Sequence, residues 1–289
     1  MTVPRAALLC FAACLAGCAS VPPAAPGPAP SPAGEKSGHA VEHTPASLAA
    51  SVQRAQLALP AESGAAFFGR WSEMPAGATR KVPVVVFLHG SSGLSLKAIE
   101  EWQRWLAAQG VASVAPDSFA LPDRVTYKSP IDKPTYERIH ALRAQEADAA
   151  LAALSGVSWA DVTRVVLAGA SEGAVAVARH ADQGLVGRMI FAWSCEDNYF
   201  VATHRTYAGG PAPVLNIISS TDPFFSPSNP WLGNDAARGN CATAFAGNKQ
   251  ATIVLIPGAP HTLLNLPAAR IATAGFLRQV FSQRDGSGQ

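Results

Sequence analysis

The sequence has no run of lysine and arginine, and its 22 basic residues nearly cancel its 20 acidic ones, for a formal net charge of +2. Electrostatics therefore give no reason to expect nucleic acid or a polybasic contact with a membrane surface. No Walker-type lysine follows the glycine-rich stretch "HGSSGL", because Lys97 is too distant, so nucleotide binding has no support. No internal repeat interrupts the chain, and past its N-terminal region there is no second linker. Cysteines are few: of five, three fall within the first 18 residues, leaving Cys195 and Cys241 for the rest. The apolar run "AALLCFAACLA" (Ala6 to Ala16) is too short to cross a bilayer as a stable helix. What is abundant is core-forming material. With 48% hydrophobic residues over 289 positions, the chain can bury a full core, and one globular domain is the default.

That apolar run, after the single positive charge of Arg5, has the length of a secretory h-region and reads as an address rather than as fold. Its end, "LAGC" (Leu15 to Cys18), resembles a bacterial lipobox. The resemblance implies a signal peptide over residues 1–17, lipidation of Cys18 and membrane attachment through that lipid alone. An ordinary cleavable signal with an incidental cysteine is the plainer alternative. Ser20 lacks the acidic character associated with inner-membrane retention, which favours the outer membrane, facing the periplasm. Residues 18–44 are Pro/Ala-rich and read as a tether, so the globular domain is expected over 45–289. His39 and His43 have a helical metal-pair spacing but no third ligand, and no metal site is expected. In an oxidising compartment Cys195 and Cys241 form the natural disulfide, the alternative being two buried thiols.

"VPVVVFL" (Val82 to Leu88) is a continuous β-branched run, the pattern of a strand covered on both faces and hence of a parallel sheet between helices. Similar runs recur at 111–115, 164–168, 188–193, 214–219 and 251–256. Two further strands fit around the aromatic stretch "AAFFGRWSEM" and the turn at Pro75 to Gly77. Helical patterns lie at Leu96 to Gly110, Pro134 to Leu154 and Pro267 to Gln283. The alternation predicts an α/β fold with a mostly parallel sheet of about eight strands flanked by helices on both faces. Ligands in such sheets bind outside the carboxyl ends of the strands.

"GASEG" (Gly169 to Gly173) follows one of these strands and precedes an expected helix, the context of a nucleophile elbow at Ser171. A serine hydroxyl needs a neutral imidazole to take its proton. His261, after the last strand in "VLIPGAPHTLLN", is the candidate base; His89, His140, His180 and His204 are less well placed. Asp222, after the strand "VLNIIS", could hold that imidazole, or it could be a turn former ahead of Pro223. Asp197 and Asp235 compete for the acid's role. The backbone amides of Ser91 (or Ser92) and Glu172 are the candidate oxyanion hole. Trp193, Tyr199, Phe224, Phe225 and Trp231 all follow strand ends, where they could wall a substrate pocket or belong to the core. The Glu172 side chain could face the pocket or lie solvated in a first helical turn.

Together "HGSSGL", "VAPDSFA", "GASEG", Asp222 and His261 resemble the α/β-hydrolase superfamily, and within it most the dienelactone hydrolase branch. The resemblance runs from about residue 60 to the end. It implies acyl transfer through serine, aspartate and histidine on a small ester, without metal or organic cofactor. Dienelactone hydrolases proper carry a cysteine where Ser171 stands, so their lactone substrate is not implied; a serine suits a carboxylesterase-like enzyme. A peptidase or polyester hydrolase on the same triad, and a catalytically silent binding lipoprotein, are the alternatives.

Overall fold

The computed structural model describes residues 32–61, 65–181, 184–207 and 212–282. The signal segment and Cys18 lie outside the described residues. In chain order the elements are β1 (Glu35–Ser37), α1 (Pro45–Gln53), β2 (Gln56–Leu59), β3 (Phe67–Arg70), β4 (Val82–Leu88), α2 (Lys97–Ala108) and β5 (Ala112–Ala115). They continue with β6 (Thr126–Lys128), α3 (Lys133–Leu154), β7 (Ala160–Ala170), α4 (Glu172–Arg179), β8 (Gly187–Phe191), β9 (Val214–Ser219), β10 (Ala251–Ile256) and α5 (Pro267–Ser282).

The main sheet has 8 strands in the order β10-β9-β8-β7-β4-β5-β2-β3. From β10 to β5 every pairing is parallel, and only β2 and β3 run antiparallel to their neighbours. The expected fold class is therefore observed. Its cause is legible in β4: Val84, Val86 and Leu88 enter one core with α1, α3 and α4, while Val85 and Phe87 enter the other with α2 and α5. A strand whose alternate residues are both apolar has to be covered twice. The strand pair expected near the aromatic stretch is β2 and β3, joined through residues 60–66, whereas Pro75 to Gly77 lies beyond it in a separate turn.

Leaving β4, the chain steps to β5 on one side, and later returns to β7 on the other side of β4. The carboxyl ends of β4 and β7 are thus the point where the winding direction reverses, the place where such sheets leave a crevice. "HGSSG" and "GASEG" are the two loops that emerge there.

The tether ends earlier than the composition suggests. β1 pairs with β6 (Lys36 opposite Tyr127), Ala40 bridges Arg124, and Lys36 reaches Asp132 at 2.5 Å. Thr44 then caps α1 by accepting the Ser47 amide. Polar side chains with specific partners hold this stretch together with one small apolar contact, Val41 buried against Val125 and Ile139. His39 and His43 do not act as a pair: His39 contacts Asp123 and His43 contacts Glu146. Among the described residues no group of three or more metal-ligating side chains assembles.

Candidate active site

Ser171 adopts φ 53° and ψ −115° at the junction of β7 and α4. This is a left-handed turn that costs a β-carbon-bearing residue roughly 1–3 kcal/mol and persists only where the surroundings enforce it. The flanking glycines provide that enforcement. A Cβ on Gly169 would come within 2.7 Å of the Gly173 backbone, and one on Gly173 would run into the carbonyls of Leu88 and His89. β7, α4 and the end of β4 therefore approach at backbone distance, and the Ser171 amide is fixed on the Phe191 carbonyl at 2.9 Å.

Asp222 follows β9 and is fully buried. Its Oδ1 accepts the amides of Phe224 and Phe225 at 2.9 and 3.1 Å, and its Oδ2 stands 2.7 Å from Nδ1 of His261. Asp222 combines the two geometries: one oxygen closes the turn and the other meets the histidine. Asp197 instead receives the backbone and ring of His204 in an exposed pair, so it does not reach His261. Phe224 packs edge-on against the His261 ring with centroids 4.7 Å apart.

Two cavities meet at this point, and Ser91, Ser92, Ser171 and His261 line both. One, of about 60 Å³, is walled by apolar side chains including Leu96, Ile99, Phe191 and Leu263. The other, of about 110 Å³, is walled by Tyr127, Tyr199, Phe200, Phe224 and Phe225 with the hydroxyl of Ser129. Ser171 and His261 make no hydrogen bond to each other, a contact that in such sites often tightens only around substrate. The Gly93 amide closes a turn onto the Gly90 carbonyl, placing Ser91 and Ser92 at its tip. Glu172 opens α4, where first-turn amides lack intrahelical acceptors.

Of the five aromatic residues expected at a pocket wall, Tyr199, Phe224 and Phe225 are there. Trp193 is not: it is fully buried in the core, edge-on to Phe225 at 4.9 Å, with its carbonyl accepting the Asn216 side chain at 3.0 Å. Trp231 does not line either cavity and packs behind Tyr199 at 4.7 Å. Tyr127, Ser129 and Phe200 line the cavity as well, and the sequence alone does not mark them; β6 is only three residues long and carries no periodic signal. Cys195 and Cys241 are joined in a disulfide that ties the chain after β8 to the loop between β9 and β10.

The Glu172 side chain is neither in the pocket nor in solvent. It is fully buried, accepting Arg124 at 2.5 Å and the Tyr127 hydroxyl at 2.8 Å. Burial, reinforced by that carboxylate, raises the Tyr127 phenol well above its ordinary range, so it remains a neutral donor. His89 is also fully buried, and burial followed by the neighbouring Arg143 pushes its pKa well below the usual imidazole value.

Solved structures of like fold share little sequence. A dienelactone hydrolase-like promiscuous phosphotriesterase from metagenomic libraries is 18% identical, with TM-score 0.52 over 86% of this chain and 98% of its own. TT1662 from Thermus thermophilus is likewise 18% identical with TM-score 0.52, over 70% of this chain and 90% of its own. A candidate dienelactone hydrolase from Klebsiella pneumoniae has the same identity and score, over 71% and 89%. No curated protein is significantly similar in sequence. Residues 71–274, which carry β4 through the first half of α5 and every residue of the Ser171 site, match the dienelactone hydrolase family, and the chain belongs to it.

Proposed function

We propose that this hydrolase cleaves carboxylic esters through an acyl-enzyme on Ser171. The Asp222–His261 contact at 2.7 Å, beside a strained serine at the crevice of the sheet, is the observation that carries the reading. Nδ1 of His261 donates to Asp222, which leaves Nε2 unprotonated and able to take the Ser171 proton as Oγ attacks the ester carbonyl. Negative charge gathers on the carbonyl oxygen, where the amides of Ser91 and Glu172 receive it; each such donor contributes about 3 kcal/mol when preorganised. The imidazolium returns the proton to the departing alkoxide. Water then repeats the sequence on the acyl-enzyme and releases the acid.

The five aromatic side chains of the larger cavity support an aromatic or bulky apolar group on one side of the scissile bond, with the apolar cavity taking the other. Export and attachment through lipidated Cys18 to the outer membrane complete the proposal; they rest on the "LAGC" boundary in the sequence.

A fluorophosphonate probe tests the chemistry. Wild type is expected to be labelled and to hydrolyse aryl esters, and Ser171→Ala to be unlabelled. His261→Ala should be slowed by three orders of magnitude or more, on the scale of triad removals. An inert, unlabelled wild type refutes the enzyme assignment, and labelling that survives in Ser171→Ala refutes the site.

A further inference from the structure

The two proposed oxyanion donors belong to different strands, the Ser91 amide following β4 and the Glu172 amide following β7. Beneath them a continuous set of buried side-chain contacts joins one loop to the other. Glu172 Oε1 accepts Arg124 at 2.5 Å, and Arg124 Nε donates to the Ser118 hydroxyl at 2.7 Å. The Ser118 amide donates to Nε2 of His89 at 3.1 Å, and Nδ1 of His89 donates to the Gly90 carbonyl at 2.7 Å. The carbonyl can only accept, which fixes the tautomer and agrees with the neutral imidazole that burial enforces.

Arg143 spans the same gap by a second route. Its Nη2 donates to the His89 carbonyl at 3.0 Å, its Nε lies 3.7 Å from Glu172 Oε1, and its Nη1 pairs with Glu146 at 2.8 Å. His43 closes the far end on Glu146 at 2.9 Å. No side chain of Arg124, Arg143, Glu146, Glu172 or His43 is more than 2% exposed. Two carboxylates thus face two guanidinium groups in the interior. Desolvation makes such clusters poor sources of net stability compared with apolar packing of the same volume. Their directional contacts, unlike apolar packing, define where each loop must sit.

Resting on the ester-hydrolase reading above, we propose that Arg143 and the Glu172 side chain are positioning residues for the oxyanion site. They hold the "HGSSG" turn and the Ser171 elbow at one fixed separation, so that both amides point at the same oxygen. Oxyanion donors act within about 2.7–3.1 Å of the developing charge, and a displacement of about 1 Å can cost 10²-fold in rate. Ground-state binding depends far less on that separation.

The test uses Glu172→Gln, which keeps the backbone amide and the side-chain shape, and the charge-balanced double variant Arg143→Met/Glu146→Gln, which leaves no unpaired buried ion. Three quantities are read: KM and kcat for an aryl ester, inhibition by an aryl trifluoromethyl ketone, and Tm. The ketone adds Ser171 Oγ to its carbonyl, passes the serine proton to His261 and leaves an oxyanion in the hole. In both variants kcat and ketone affinity are expected to fall together by about 10- to 100-fold, with KM within about threefold of wild type. In the double variant Tm should recover while ketone affinity does not. Folded variants with wild-type kcat and ketone affinity, altered only in Tm, would show the cluster to be structural and overturn the proposal. A wild type inert to both ester and ketone would instead overturn the hydrolase reading on which it rests.

Discussion

Asp222 and His261 are 39 residues apart in sequence and 2.7 Å apart in space, with the second carboxylate oxygen of Asp222 occupied by two backbone amides. The carboxylate thereby has one free oxygen and one direction in which to use it. Asp222→Asn preserves the volume but offers an amide to Nδ1, favouring the wrong imidazole tautomer. A fall in kcat of about 10⁴ is expected on an ester substrate, as for the corresponding change in a known triad. Asp197→Asn, which disturbs only the exposed pair with His204, should leave kcat within about twofold. Equal losses in the two variants would sink the assignment of the acid.

Two glycines with opposite surroundings give a paired stability prediction. Gly173 has no room for a Cβ, since the carbonyls of Leu88 and His89 occupy the space. Gly173→Ala should lower Tm by the equivalent of at least about 1–3 kcal/mol and abolish labelling by the fluorophosphonate probe. Gly275, inside α5, has nothing within 4 Å of the place where an alanine methyl would stand. There Gly→Ala should raise stability by about 0.5–1 kcal/mol with activity unchanged, as thermal melts and ester turnover will show.

The disulfide closes a separation of 46 residues, which loop-closure entropy values at about 4 kcal/mol. Asn216 supports the same junction, donating to the Ile190 and Trp193 carbonyls and accepting the Cys241 amide. Mild reductant or Cys195→Ala/Cys241→Ala is expected to lower Tm markedly. Activity below the new transition should persist, because Asp222 and His261 are held by their own turn. Inactivation without loss of folded structure would contradict this.

His140 is buried between Tyr136, Phe200 and the Arg179 side of α4, and both its ring nitrogens lack hydrogen-bond partners among the described residues. Burial, then Arg179, lowers its pKa from 6.5 to about 4. Because the folded value is depressed, the unfolded chain binds the proton first as pH falls. The associated stability is whole above about pH 6.5, erodes below it, and is lost by about pH 4, a swing on the order of 3 kcal/mol. His89 shifts in the same direction. His140→Phe should flatten the slope of Tm against pH across that window; an unchanged slope would remove His140 as its source.

The fold is legible in the sequence because its central strands are buried on both faces and therefore read as unbroken apolar runs, as in β4. The catalytic candidates are legible because each follows such a run, and strand ends in this topology share one edge. The limits lie where position depends on partners distant in sequence. Trp193 has the same kind of address as Phe224, yet one is buried in the core against Asn216 and Phe225, both distant in sequence, and the other lines the cavity. Glu172 has the local signature of an ordinary first-turn acid, and nothing near "GASEG" announces Arg124, Tyr127 and Arg143. The stretch around His43 reads as tether because its anchoring is by individual polar contacts and a single buried valine, Val41, rather than by a periodic apolar face.

That early docking of the N-terminal segment has a spatial consequence. Lys36 in β1 sits opposite Tyr127 in β6, and Tyr127 lines the aromatic cavity, so the chain enters the domain beside the mouth of the proposed site. Under the lipid anchoring proposed at Cys18, only the residues up to Glu35 separate mouth from membrane, a reach of at most about 60 Å when fully extended. The enzyme would then sample a thin layer above the bilayer, meeting substrates held at or released from that surface before those free in the bulk.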